Sequence, residues 1–425
     1  AGALNAQTGT IAIGQNALTA LTTGSGNTAV GYQAGAANST GIENTIVGYQ
    51  AFDVGVGDGN VAIGKAAMGS MSHATSDKNT AIGTYALLST GSNESIGQVA
   101  VGYSALQNCT SGGRNAAIGF ESLSTLTQAS HNIAIGYNAL KDSSGTTSHR
   151  NICIGSYTMD GVGSNIAADN ICLGYDTGTA ITTGDNNVII GSYAGDAMTS
   201  AESNVIIGFE TGTSLTIGRY NTAVGYKALN TDDVGDRSTA LGFQSLYSQN
   251  SDSDNEMTQN VGLGMYSGYH NVTGKENTWV GYGAGLGASG QSNSNNTGVG
   301  DRVMLDVTTG GSNSALGGKA GTNISSGNNN VCIGTQAGND ITTGGQNIII
   351  GCRTVDAGGS GSENRIVIGD LITGGANFQF TFGASSNIVQ NEFNTDAAWT
   401  RTSDIRKKRN INNDSLGLNF INNLK

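Results

Sequence analysis

Apolar and polar positions along this chain recur in one phrase: Asn, three mostly apolar residues, then Gly. It reads Asn27-Thr28-Ala29-Val30-Gly31, returns as Asn221-Thr222-Ala223-Val224-Gly225 and again as Asn347-Ile348-Ile349-Ile350-Gly351. The closing glycines number 21, from Gly14 to Gly369; of the 20 intervals 12 are 17 residues, five are 19, and the others are 16, 18 and 22. A period that short is one coil of a solenoid, not a domain.

Aligned on the glycine, the preceding position is Val, Ile or Leu in every copy, and the position three before is mostly Thr, Val or Ile. Alternation of period two places these columns on one face of a short strand. The column between them is apolar as well, as at Ala29, Ala62, Ala81, Ala134, Ile189, Ile206 and Ile349. A strand apolar on both faces needs cover on both faces. The coil interior covers one, and further copies of the chain are the expected cover for the other, in a homotrimer of parallel solenoids about a threefold axis. After the glycine, small residues three positions on and Leu, Met, Phe, Val or Gly four positions on predict a second strand, closed by Gly-Ser-Asn-Thr-Asp turns that absorb the insertions.

The opening Asn, present in 17 of 21 copies, predicts a stacked amide ladder running through Asn27, Asn44, Asn221 and Asn347. Glycines such as Gly31 and Gly225 predict a positive φ or a close backbone approach. Trp279 stands two before its glycine, and the same column holds Gly262 one coil earlier and Gly298 one coil later. The expectation is a large ring packed between two positions without side chains.

Composition resembles a low-complexity segment, with 67 Gly, no Pro and 12% charged residues among 425. A fixed apolar register over twenty cycles is incompatible with disorder. Absence of Pro suits a body whose backbone N–H groups are all needed between coils. The net charge of −12 gives a nucleic-acid role little support and reads as solubility for a long particle. No stretch suggests membrane insertion, no signal-peptide pattern opens the chain, and an N-terminal part is expected before Ala1. Cys153, Cys172 and Cys332 fall two before the glycine as small buried side chains, and free thiols fit folding in a reducing compartment. The histidines at 73, 131, 149 and 270 lack ligand spacing, and Ser251 to Glu256 lacks a twelve-residue calcium loop, so no metal and no cofactor are expected.

The Asn-x-Ala-x-Gly coils of residues 10–370 resemble the left-handed parallel β-roll heads of trimeric autotransporter adhesins and, more closely, the repeat shafts of viral tail fibres. The coils are longer than the autotransporter pattern and carry cysteines. At the C-terminus, Ser403-Asp404-Ile405-Arg406-Lys407-Lys408-Arg409-Asn410-Ile411 looks like the opening of the intramolecular chaperone domain that ends many phage tailspikes and tail fibres, the endosialidase type among them. In that family the phrase carries a Ser-Lys dyad that cleaves the Ser-Asp bond after trimerisation. By position, Ser403 is then the nucleophile, Lys408 the base and Asp404 the residue across the scissile bond, a pairing open to a Lys of depressed pKa.

The expected organisation is a β-solenoid shaft over 1–370, a β-structured and intertwined linker over 371–402 in which Asn377 to Phe382 alternates as a strand, and the start of a chaperone domain over 403–425. Leu416, Phe420, Ile421 and Leu424 have the spacing of a short amphipathic helix. The resemblance implies an all-β, homotrimeric fibre of a virion, a phage tail fibre or tailspike, serving as rigid spacer and host-surface adhesin. Its implied partners are itself, a host cell-surface glycan or protein receptor, and other virion tail proteins. It implies assembly in the host cytoplasm and work outside the cell. A bacterial trimeric autotransporter-type adhesin is the second reading. A polysaccharide-degrading tailspike is the third, disfavoured because no interval exceeds 22 residues, leaving little room for two carboxylates fixed across a groove. No enzymatic activity on an external substrate is expected.

Overall fold

The computed structural model describes residues 8–401 except 72, 74–75, 89–94, 143–147, 162–165, 255, 356–360 and 395–399, with only the backbone of 400–401. Ser403, Asp404, Lys408 and the expected C-terminal helix lie outside the described residues. Among those described there is no helix, and 24 strands join in one continuous sheet. Twenty of these, from β1 (Ile11–Ile13) to β20 (Ile348–Ile350), have three residues each, and β21 (Ile366–Asp370) has five. Each pairs in parallel with the next at an unchanging register, Ile11 with Thr28 and Ala12 with Ala29 at one end, Ile349 with Val367 and Ile350 with Ile368 at the other. The chain is a parallel β-solenoid of about 21 coils.

The middle residue of each phrase points inward. Ala29, Ala62, Ala134, Cys153, Cys172, Ile189 and Cys332 are fully buried. Its neighbours face out: the Val/Ile/Leu column stands at the surface, 36% exposed at Val47, 42% at Leu241 and 59% at Ile13. One face of the strand is therefore covered within the chain and the other is not, so the requirement for cover on both faces is unmet in a single copy. The choice of inner face follows from volume, because a 17-residue coil encloses little space and takes the small column.

The amide ladder is continuous over most of the rod. Asn44 donates from its backbone N (3.0 Å) and Nδ2 (3.1 Å) to Asn27 Oδ1, and from Nδ2 to the Gly57 carbonyl at 2.9 Å. Asn347 repeats this on Asn330 Oδ1 and the Ser362 carbonyl. Gln98 substitutes for Asn without breaking the chain of bonds, its N–H reaching Asn79 Oδ1 at 2.9 Å and its Oε1 accepting from Asn115 N at 3.1 Å. All are buried, so each amide satisfies backbone groups that water cannot reach.

The glycine column needs glycine twice over. Gly225 has φ +136°, and a Cβ there would lie 2.4 Å from the Gly242 carbonyl oxygen of the next coil.

The expected second strand is absent among the described residues of the coils. After the glycine the backbone runs through stacked turns in which left-handed residues alternate with ordinary ones, as at Gln33 (φ 54°) and Gly35 (φ 63°). The ladder between coils persists nonetheless: Gln33 N donates to Gln15 O at 2.9 Å, and Gly35 N donates to Ala51 O at 2.9 Å. Residues four beyond the glycine are left-handed even when large, as Leu18, Phe52, Met68 and Leu140 at φ 48–52°. The cost of about 1–2 kcal/mol is offset by burying the side chain, worth roughly 1.5–3 kcal/mol.

This column trades volume with the strand centre. Most coils with Ala at the centre carry Leu or Met at the turn, as Ala62 with Met68 and Ala223 with Leu229, while Ala29 and Ala315 are matched with Gly35 and Gly321. Three coils with a large centre carry Gly there, Ile189 with Gly195, Ile206 with Gly212 and Trp279 with Gly285, whereas Ile46 and Ile349 are matched with Phe52 and Val355. The Trp279 ring is fully buried, and a Cβ on Gly285, Gly298 or Gly268 would meet it at 2.2, 2.8 and 2.9 Å. Gly298 thus lies against the ring as expected. Gly262 is its register partner, but a Cβ there would first meet Ser245, Leu246 and Ser267.

One strand beyond β21 the pairing turns from parallel to antiparallel. β22 (Gln379–Ala384) continues in parallel on β21, but β23 (Asn387–Glu392) returns antiparallel on β22, and β24 (Thr400–Arg401) antiparallel on β23. Within one chain this linker is an antiparallel meander closing the solenoid sheet.

Candidate interaction face

The outward strand face is a long apolar stripe. Beside the Val/Ile/Leu column, across the bare glycine column, runs a second column of residues immediately after the glycine: Tyr32, Tyr49, Tyr103, Phe120, Tyr137, Tyr175, Phe209, Tyr226, Phe243 and Tyr282. Where that position is polar or Met, the next residue supplies the ring in four coils, as Tyr85, Tyr157, Tyr193 and Tyr266. Twelve rings from Tyr85 to Tyr282 form an unbroken ladder, one rung per coil, with centroids 5.0–6.3 Å apart.

The ladder has two kinds of rung. Rings immediately after the glycine stack on one another nearly in parallel, Phe120 on Tyr137 at 9° and Phe209 on Tyr226 at 7°. The four tyrosines displaced by one residue stand crosswise to their neighbours, Tyr193 at 76° to Tyr175 and 85° to Phe209, Tyr266 at 88° to Phe243. Left-handed backbone at these four, φ 58–60°, accounts for the different aim of the side chain.

The extent of the stripe decides how to read it. Twenty-one large apolar or aromatic side chains of these two columns are exposed at between 36 and 59%. At about 200 Å² per side chain, on the order of 1,800 Å² of this face is open. A typical monomer's largest apolar patch is about 300–600 Å², and a stable interface takes about 800 Å² from each partner. Charged groups flank the stripe and neutralise one another: Lys141 with Glu121 at 2.7 Å, Lys227 with Glu210 at 2.9 Å, and Arg150 with Asp169 at 2.6 Å.

Sequence reasoning missed this column, although its signal was present as recurring Gly-Tyr and Gly-Phe pairs. The ladder residues Asn27, Asn44, Asn221 and Asn347, by contrast, are buried in the wall and the Trp279 cluster in the core, so neither group is offered to a partner.

Elsewhere the chemistry is sparse. Among the described residues no three His, Cys, Asp or Glu side chains gather as a metal cluster. In the acidic run, Glu256 accepts from Asp252 N at 2.7 Å and pairs with Lys275. The five cysteines are free, and burial pushes the Cys332 thiol up to about 12. Asp232 is a carboxylate in the core: Ser251 Oγ donates to its Oδ1 at 2.9 Å, Oδ2 has no partner, and burial raises its pKa. No helix among the described residues is long and apolar enough to cross a membrane. No protein-family model, curated protein or solved structure matches this chain.

Proposed function

We propose that this chain is the shaft of a virion fibre, a phage tail fibre or tailspike, in which three copies of a left-handed β-roll associate through the apolar stripe and act as rigid spacer and host-surface adhesin. The observation carrying this reading is the stripe itself: a face of that area, with no charge on its strand column, is suited to another surface of the same kind. A second copy is the natural occupant, since the stripe has the same one-coil spacing on every copy and self-association brings equal rungs to equal heights. Stacked rings favour this occupant over a sugar along most of the ladder, because their faces are taken by the rungs above and below and only edges remain.

At a rise of about 4.8 Å per coil, the rod is on the order of 100 Å long. Weak contacts repeated along such a rod and across three copies would give attachment by avidity. Analytical ultracentrifugation of the full chain is expected to give a trimer; a stable monomer at micromolar concentration overturns the association. Exposed Cys352 occupies the ring column near the C-terminal end and offers a second readout. Mild oxidation should link two copies through it, whereas a chain that stays unlinked argues against facing stripes there. Adhesion is tested by whether the purified rod binds host cells and blocks infection.

A further inference from the structure

One rung of the ladder departs from the rest in a way that suits a ligand. A ring at right angles to both neighbours turns its edges along the stack and its faces sideways. Of the four crosswise tyrosines, Tyr85, Tyr157 and Tyr266 are half-buried and Tyr193 is exposed, at 37%. Beside Tyr193 lies an open hollow of about 340 Å³, lined also by Asp196, Glu210 and Thr213.

The polar lining is arranged but not used up. Glu210 is held by Lys227 Nζ at 2.9 Å, which fixes one carboxylate at the wall. Thr213 Oγ1 is oriented by Asn230, accepting from its Nδ2 at 2.7 Å. Asp196 Oδ1 is enclosed and has no hydrogen-bond partner. An enclosed oxygen left without a donor is costly, by roughly 1–3 kcal/mol, and the terminal torsion of Asp is soft enough to swing it into the hollow. Burial, with the charges of Asp176 and Glu210 among its neighbours, raises the pKa of Asp196, while the backbone N–H groups of Asp196 and Ala197 act in the opposite direction.

We propose that this hollow binds a neutral saccharide, with the C–H face of one sugar ring against Tyr193 and its hydroxyls donating to Asp196 and Glu210. An aromatic face with convergent carboxylate acceptors suits a hydroxyl-rich ring. The same carboxylates repel an acidic sugar. The proposal rests on the adhesin reading and gives it a place and a ligand class: coils eleven and twelve of the shaft, on the turn side of the stripe.

The test uses the full chain and saturation-transfer NMR with methyl α-mannoside, methyl β-galactoside and chitotriose as neutral probes and colominic acid as the acidic one. Transfer to at least one neutral probe is expected, with none to colominic acid. Tyr193→Ala and Asp196→Ala should each weaken binding at least about tenfold, a loss of about 1.4 kcal/mol, whereas Tyr193→Phe retains it. Tyr220→Ala, at an exposed tyrosine outside the ladder, serves as the control and leaves binding unchanged. No transfer to any neutral probe, preference for colominic acid, or undiminished binding by Tyr193→Ala and Asp196→Ala chains of native circular dichroism each overturns the proposal. Sedimentation and cell binding of the same samples separate the readings. A monomer that binds sugar removes only the self-association, a rod that binds sugar but not cells removes only the adhesin role, and an assembled, cell-binding rod blind to sugar removes only this site.

Discussion

Replacing Asn204 by Ala removes one rung of the amide ladder in the middle of the rod. Asn204 Nδ2 donates to Asn187 Oδ1 at 3.1 Å and to the Gly218 carbonyl at 2.9 Å, and its Oδ1 accepts from Asn221 N at 2.8 Å. Asn187 Oδ1 keeps the backbone N–H of residue 204, at 3.0 Å, so it is not orphaned. The Asn221 N–H and the Gly218 carbonyl lose their bonds to this side chain inside a wall where Asn204 and Asn221 are 0 and 1% exposed. At about 1–3 kcal/mol for each buried group left unpaired, the expected loss is roughly 2–6 kcal/mol. Because each coil touches only its neighbours, that loss should stay local. Hydrogen exchange read by mass spectrometry should show Val205–Ile207 and Thr222–Val224 exchanging at least about 30-fold faster, the equivalent of about 2 kcal/mol, while Val61–Ile63 is unchanged. Asn186→Ala, one residue before the ladder, supplies a reference for effects of handling. Protection of Thr222–Val224 within about threefold of wild type would refute the claim that the side-chain amides hold the coils together.

Other expectations follow from the same geometry. Gly225→Ala puts a methyl 2.4 Å from the Gly242 oxygen at a φ of +136° and should cost about 1–3 kcal/mol, seen as a lowered thermal midpoint; an unchanged melt contradicts the close approach. Phe209→Lys with Tyr226→Lys should shift sedimentation toward the monomer at unchanged far-ultraviolet circular dichroism, and an intact oligomer means the copies meet elsewhere. Asp232 has a folded pKa raised by burial, so the fold holds its proton more tightly than the unfolded chain does. Its contribution is therefore complete below the ordinary carboxylate range and is lost as pH rises through the raised value. Asp232→Asn, which places there the residue that at Asn38 accepts from Gly41 N at 2.8 Å, should remove this loss. Denaturation midpoints across pH 4 to 8 that fall equally in both proteins would contradict that assignment.

Much of the wall could be read from the chain because its columns are chemically exclusive. Only glycine survives where one coil's backbone nearly touches the next, and only an amide both donates along and accepts from a neighbouring rung, so Gly225 and Asn204 announce their roles. The segment after the glycine could not be read that way. Alternation of small and large residues at Ala51-Phe52 or Ala67-Met68 is what a strand would show, yet Phe52 and Met68 are left-handed, at φ 48° and 52°. Local sterics oppose that conformation, and it persists because the coils above and below supply the hydrogen bonds and the interior takes the side chain. Which strand face lies inside was equally hidden, since Ala29 and Val30 are both apolar and only the narrowness of the closed coil selects the smaller. Tyr193 and Asp196 sit three residues apart in the sequence, but Glu210 and Thr213 join them only through the stacking of coils.

The constancy of register has an evolutionary consequence. Every coil presents the same backbone to the coil above and below, as the zero-slip pairing from Ile11 to Ile368 records, so duplicating a unit of about 17 residues lengthens the particle by one increment of about 4.8 Å and leaves its cross-section intact. Reach can thus be adjusted in discrete steps, like the gradations of a ruler, without redesigning any joint.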